Sequence, residues 1–194
     1  NTLTDTWSLL GVLPFGRRSG GIGLSHNGIV YFGFGHDGSN SFNDFWSYDP
    51  INGNWAQLAS LPGQTRLQPS AFVINNNIIV GGGHTLGTPA PLSDYYMYDI
   101  SSNTWSTICS PSLARRSNTK GIAINGIGYI TCGRPVSNVM LNDLIEFTNV
   151  ERTIDTSICL QNSITCSSFR VGAQSYVCFT LALRCCKCSN QSVA

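Results

Sequence analysis

Along most of the chain short apolar runs come in pairs, each pair split by a few polar residues. Ile22 to Leu24 is followed by Ile29 to Phe32, Ala71 to Ile74 by Ile78 to Val80, and Ile122 to Ile124 by Ile127 to Ile130. The intervening residues are His26-Asn27-Gly28, Asn75-Asn76-Asn77 and Asn125-Gly126. Runs this short, rich in β-branched residues and joined by Asn and Gly, predict antiparallel hairpins. No 3.6-residue periodicity competes with that reading.

The hairpins belong to a longer period. Trp7, Trp55 and Trp105 fall in register at spacings of 48 and 50 residues, and an arginine follows each by eleven: Arg18, Arg66 and Arg116. Between Trp and Arg lies a turn, Leu13-Pro14, Leu61-Pro62-Gly63 or Ser112-Leu113. Glycines close the second strand of each hairpin at Gly33 and Gly35, at Gly81 to Gly83, and at Gly133. A third strand opens on an acidic residue and carries aromatics, as in Asp44-Phe45-Trp46-Ser47-Tyr48-Asp49 and Asp94-Tyr95-Tyr96-Met97-Tyr98-Asp99, and more weakly from Asp143 to Phe147. The next Trp strand makes four per repeat. One such sheet cannot bury both faces alone, so successive sheets must stack around an axis as the blades of a β-propeller.

With Arg opening the first strand, glycines ending the second, Asp and aromatics in the third and Trp in the fourth, the pattern resembles the kelch repeat over roughly residues 1 to 147. Phe42 to Pro50 is its best single stretch, and the full double glycine stands only at Gly82-Gly83, the other copies reading Phe34-Gly35 and Cys132-Gly133. The resemblance implies an all-β, kelch-type β-propeller of about three and a half four-stranded blades. Their expected extents are about 8–55, 56–105 and 106–154, with 155–194 an incomplete, Cys-rich last half-blade.

Past Phe147 the pattern decays. Ile154 stands where another Trp is due, while Arg170 precedes two expected strands, Val171 to Cys178 and Phe179 to Leu183. Kelch propellers usually close with six or seven blades. The chain is therefore expected to be part of a longer propeller, an arc completed by another subunit, or a small four-bladed ring closed with help from the Trp7 strand.

Composition narrows the partners. Only 11% of residues are charged, 11 Lys+Arg against 10 Asp+Glu, so the chain lacks the basic footprint that nucleic acid or an anionic membrane requires. The longest apolar stretch, Tyr176 to Leu183, is far too short to span a bilayer. The N-terminus lacks both an initiating Met and a signal-peptide layout, which predicts a processed or trimmed chain. Eight cysteines, low charge and the sequon at Asn190 point to an extracellular or secreted setting, with a cytoplasmic adaptor as the alternative. Cys159, Cys166, Cys178, Cys185, Cys186 and Cys188 are candidate disulfide partners in no derivable pairing, since Cys185-Cys186-Lys187-Cys188 lacks zinc-ribbon spacing.

Two recurrent positions carry the candidate ligand chemistry. Arg18, Arg66, Arg116 and the in-register Arg170 form a ring of guanidiniums suited to carboxylate or phosphate. The alternative for them is pairing with the recurrent aspartates to brace adjacent blades. The residues after the glycines, His36, His84 and Arg134, form a second ring. The resemblance places both positions at the ligand mouth of peptide-binding kelch propellers. Tyr95, out of phase with Tyr96 and Tyr98, is the aromatic expected to be exposed and able to stack on a sugar. His36 and His84 with Asp37 suggest a metal, yet a metal site wants three or four convergent ligands, so neither metal nor cofactor is expected.

No nucleophile elbow, phosphate loop or metalloprotease motif is present, and no catalytic residue is assigned. The sequence thus predicts a non-enzymatic binding or assembly module for a protein or glycan. The resemblance leaves two alternatives open: a sugar-modifying propeller like the sialic acid mutarotases or the carbohydrate oxidases, and a structural subunit that pairs with copies of itself.

Overall fold

A computed structural model describes residues 3–88, 90–110, 115–135 and 139–149, together with the backbone of the strands at 165–171, 174–180 and 187–190. Every regular element among the described residues is a β-strand. The first sheet is β1 (Ile22–His26), β2 (Ile29–Gly33), β3 (Phe45–Asp49) and β4 (Asn54–Leu58), hydrogen-bonded in chain order. The second repeats it with β5 (Ser70–Ile74), β6 (Asn77–Gly81), β7 (Tyr95–Asp99) and β8 (Thr104–Ile108). All neighbouring pairs are antiparallel.

The turns work as their residues dictate. Asn27-Gly28 and Asn125-Gly126 both hold two successive left-handed residues, with φ of 48° and 80° and of 53° and 76°. That is the I′ geometry whose twist matches the flanking strands, and it sets the two-residue register His26 to Ile29 and Ile124 to Ile127.

Alternation along the strands of the second sheet creates two apolar faces. Ala71, Ile78, Val80, Tyr96 and Tyr98 join Tyr31, Phe34 and Phe45 of the first sheet in one core. Phe72, Ile74, Ile79, Tyr95 and Ile108 join Ile130, Ile145 and Phe147 of the third in another. A strand's period of two thus gives each neighbour its own set of side chains. First strands touch across the stack, β1 with β5 and β5 with β9 (Lys120–Ile124), so they are the inner strands.

The third sheet departs from the repeat. After β9, β10 (Ile127–Thr131) and β11 (Leu144–Asn149) come β12 (Thr165–Val171), β13 (Gln174–Thr180) and β14 (Lys187–Asn190), making six strands in the order β14-β13-β12-β11-β10-β9. Where Tyr48 faces Trp55 and Tyr98 faces Trp105, Phe147 faces Phe169. The fourth-strand register is kept, by a residue fifteen places beyond Ile154, which itself lies outside the described residues.

This alters the expected layout of the C-terminal part. The strands there hydrogen-bond in succession onto β11 and extend the third sheet rather than opening a new one. Arg170 lies within β12 opposite Glu146, not ahead of a first strand. The expected strand from Val171 to Cys178 is instead Gln174–Thr180, and residues 181–186 lie outside the described part.

Candidate functional site

The register places the functional loops at one end of every blade. Ile22 pairs with Gly33, Ser70 with Gly81 and Lys120 with Thr131, so the segment entering each first strand meets the segment leaving each second. The recurrent arginines and the residues after the glycines share that end.

The arginines are occupied by their own blades. Arg18 Nη2 donates to Asp44 Oδ2 at 2.7 Å, and its guanidinium lies 3.5 Å from the centre of the Phe42 ring. Arg66 Nη2 donates to Asp94 Oδ2 at 2.8 Å, Nη1 donates to the Gly82 carbonyl at 3.2 Å, and its side chain is wholly buried. Arg116 grips both oxygens of Asp143 at 2.7 and 2.8 Å and donates to the Cys132 carbonyl at 3.1 Å. That bidentate grip holds the Asp143 carboxyl below the usual carboxylate range, against a smaller opposing effect of burial. Each fork therefore ties the first strand's entry to the third strand's start within one blade. It does not present a ring of open guanidiniums at the mouth.

Blades are joined instead by backbone. Gly35 N–H donates to the Arg66 carbonyl and Gly83 N–H to the Arg116 carbonyl, both at 2.9 Å. Gln68 N–H donates to Gly20 and Asn118 N–H to Gln68, at 2.6 and 3.2 Å. Such close approach excludes a side chain at Gly83: its φ is +81°, and a Cβ would come within 2.5 Å of the Leu67 carbonyl oxygen. Left-handed Gln68 was not legible as a special position, because unlike its counterparts Gly20 and Asn118 it is not a residue type that favours positive φ.

His36, His84 and Arg134 do converge. Each forms an isolated antiparallel bridge to the residue after its blade's arginine, Ser19, Leu67 or Ser117, so backbone bonds fix all three at the same height. Partial burial pushes the His84 imidazole below its ordinary value, and the neighbouring positive charges of His36 and Arg134 push it the same way. Nδ1 of His36 and Nδ1 of His84 are buried and hydrogen-bond to no protein atom. The mouth thus offers one fixed cation and two partly buried imidazoles.

Beside this mouth lies a cleft of about 450 Å³ lined by Gln64, Thr85, Thr88, Ser93, Asp94 and Arg115, among others. Sequence reasoning missed it because, the recurrent Asp94 apart, it is lined by the variable β6–β7 loop and by residues entering the blades rather than by the repeat. Its lining of hydroxyls, an amide and two opposite charges suits a polyhydroxylated ligand.

Tyr95 does not belong to the mouth. It sits on the face opposite Tyr96 and Tyr98, as alternation requires, but it is 6% exposed because the third sheet covers that face. In a stack of blades both faces of an inner sheet are interior, and burial raises the Tyr95 phenol well above its ordinary value. Asp37 is turned back on its own loop, accepting from the N–H groups of Ser39 and Asn40, and no cluster of three metal-ligating side chains occurs among the described residues. Cys132 is an exposed free thiol and Cys109 is buried. Of the C-terminal cysteines, Cys178 and Cys188 are register partners on β13 and β14, and Cys166 lies on β12. Cys159, Cys185 and Cys186, and the side chain of Asn190, lie outside the described residues.

A family model described as "Kelch motif" matches residues 35–62, spanning the second-strand glycines, the Asp44 strand and the Trp55 strand of one blade. That blade is a kelch repeat. Among curated relatives, the F-box/kelch-repeat protein SKIP30 of Arabidopsis thaliana is 30% identical over 95 residues, 47% of this chain and 25% of its own length. The N-acetylneuraminate epimerase of Pasteurella multocida (strain Pm70) is 31% identical over 117 residues, 59% of this chain and 30% of the relative. That of Escherichia coli O9:H4 (strain HS) is 29% identical over 154 residues, 76% of this chain and 41% of the relative. The chain thus spans well under half the length of these relatives. A solved structure titled "Structure of YjhT" superposes with a TM-score of 0.68 at 16% identity, covering 78% of this chain and 48% of that one. The kelch blade, and with it the propeller fold, is shared.

Proposed function

We propose that this kelch chain is a glycan-directed binding module whose mouth holds a carboxylate-bearing sugar. The observation that carries the reading is the convergence of His36, His84 and Arg134 from three successive blades, with two buried imidazole nitrogens lacking a protein partner. A carboxylate would accept from the guanidinium and from imidazolium at that height, while the adjoining polar cleft would take hydroxyls. Relatives named for N-acetylneuraminate, an acidic sugar, support that choice of ligand. The low charge and many cysteines support an extracellular setting for it.

Titration calorimetry with N-acetylneuraminate and with its neutral precursor sugar N-acetylmannosamine tests the reading. Binding of the acidic sugar alone is expected, weakened at least about tenfold by His36→Ala with His84→Ala, on the scale of one lost charge-assisted hydrogen bond. Equal affinity for the neutral sugar, or no loss in the double variant, would remove the mouth from the account.

A second reading, interconversion of sugar anomers, is favoured by the depressed His84. An imidazole kept neutral near pH 7 can accept a proton from a ring hydroxyl. Exchange NMR of the two N-acetylneuraminate anomers would show faster exchange with protein, abolished in His84→Ala. An unchanged exchange rate leaves binding alone.

A further inference from the structure

The two ends of the blade stack are unlike each other, and each is defined by what covers its counterpart inside the stack. Leu24, Phe72 and Ile122 are repeat equivalents on the first strands, as are His26, Ile74 and Ile124; Phe45, Tyr95 and Leu144 are equivalents on the third. In the first sheet this face packs on the second, and in the second it packs on the third. Phe72, Ile74 and Tyr95 are accordingly buried at 2, 3 and 6% exposure, whereas Ile122, Ile124 and Leu144 stand at 49, 55 and 59%. Three apolar side chains at positions that are core in the second repeat face solvent in the third.

The opposite end holds the complement. Inside the stack, the cover for such a face is the other side of a following blade, built in the second sheet from Ile78, Val80, Tyr96 and Tyr98, all 8% exposed or less. The equivalents in the first sheet are Val30, Phe32, Trp46 and Tyr48, none of which is buried. Phe15 reaches Trp46 and Trp55 with ring centres at 5.3 and 5.5 Å, a partial cover in place of a blade.

We infer that the Ile122 face of one copy docks on the Val30 face of a second copy, and reciprocally, so that two arcs close into one ring. The interface is a third use of the blade-to-blade packing already made twice within the chain. Head-to-tail interfaces close into rings when the rotation permits and otherwise grow into filaments. The solved structure argues for closure: the matched part of this chain makes up 48% of that chain, so a second arc of the same size supplies the remainder of a ring. Closure would also complete the mouth at His36, His84 and Arg134.

Native mass spectrometry and light scattering of the full 194-residue chain across the micromolar range provide the test. A two-chain species is expected. Ile122→Asp and Val30→Asp each bury a charge at the joint and should weaken association on the order of a hundredfold, with the fold checked by circular dichroism. Because each variant spoils a different face, mixing the two leaves one intact joint and should restore a mixed two-chain species, which a misfolded variant would not do. A parent that stays monomeric throughout overturns the proposal and assigns the face to another occupant, such as further blades. A ladder of larger oligomers overturns ring closure, and a dimer indifferent to both substitutions overturns the interface.

Discussion

Arg66 and Asp94 form an ion pair whose two ends lie in different media: the arginine side chain is wholly buried, while the aspartate is 38% exposed. Arg66 also donates to the Gly82 carbonyl at 3.2 Å and lies 5.2 Å from the Tyr96 ring. The buried partner is thus held by charge, by a carbonyl and by an aromatic face, and the exposed partner keeps some of its water.

That asymmetry predicts unequal costs. Arg66→Ala opens a cavity and strips the Gly82 carbonyl of a donor, and should destabilise the fold by on the order of 3 kcal/mol. Asp94→Asn leaves the wholly buried guanidinium without its counter-charge and should cost more, about 3–5 kcal/mol. Urea unfolding of both variants checks the order; a loss for Asp94→Asn well below that of Arg66→Ala would contradict the assignment of Arg66 as the buried, charged anchor.

Gly81 is a glycine because Tyr95 lies against it. Its Cβ would overlap the Tyr95 ring, and Gly128 stands in the same relation to Phe72 across the blade joint. Gly81→Ala should therefore cost about 1–3 kcal/mol by overpacking, and Tyr95→Ala about 3–5 kcal/mol by the cavity it leaves. In the double variant the methyl enters space the ring has vacated, so the two losses should fall short of additivity. A strictly additive cycle would show that the glycine is required for another reason.

The contrast between Gly81 and the mouth marks what was legible in the sequence. Strand runs, Asn-Gly turns and the Trp55 and Trp105 strands could be read because each is local, set by period and turn chemistry. Convergence of His36, His84 and Arg134 was readable as equal offsets after the glycines. Pairing of Arg66 with a recurrent aspartate was one of two readings its offset allowed. The destination of Tyr95 was not readable, since it depends on the next sheet: alternation gives the face a side chain occupies, and only the stack tells whether that face is wet. The third blade's fourth strand was unreadable for a related reason, because Phe169 reaches the register of Trp55 and Trp105 from far beyond the repeat's period.

Adjacent blades also share a clamp at the outer strands. Asn103 Oδ1 accepts from the Ala59 N–H at 2.8 Å and from the Tyr98 hydroxyl at 2.8 Å, while Trp105 Nε1 donates to the Ala59 carbonyl at 2.7 Å. Asn103 is left-handed, with φ of 54°. Asn103→Gly retains that backbone and removes only the clamp, costing about 1 kcal/mol. Asn103→Ala should cost more, because alanine adds strain at positive φ. Thermal unfolding that ranked alanine above glycine would show that positive φ is not what disfavours alanine, and an unchanged melting temperature for Asn103→Gly would show that the clamp contributes nothing.

His84 gives the chain a pH response with a definite sign. Its folded-state value is depressed below the ordinary 6.5, first by desolvation and then by His36 and Arg134. Above 6.5 the imidazole is neutral in both folded and unfolded chains and contributes nothing. As the pH falls below 6.5 the unfolded chain takes up the proton first, so stability falls with pH until the folded His84 is protonated too. Relative to His84→Gln, the parent should therefore lose melting temperature on passing from pH 7 to below pH 6, and identical profiles would sink the assignment. A bound carboxylate reverses the electrostatics by favouring the imidazolium, so binding should draw in a proton in the same interval. Calorimetry near pH 6 in buffers of unlike ionisation heat reads that uptake directly. Proton uptake that vanishes in His84→Gln places the anion at the mouth, and heats independent of buffer place it elsewhere.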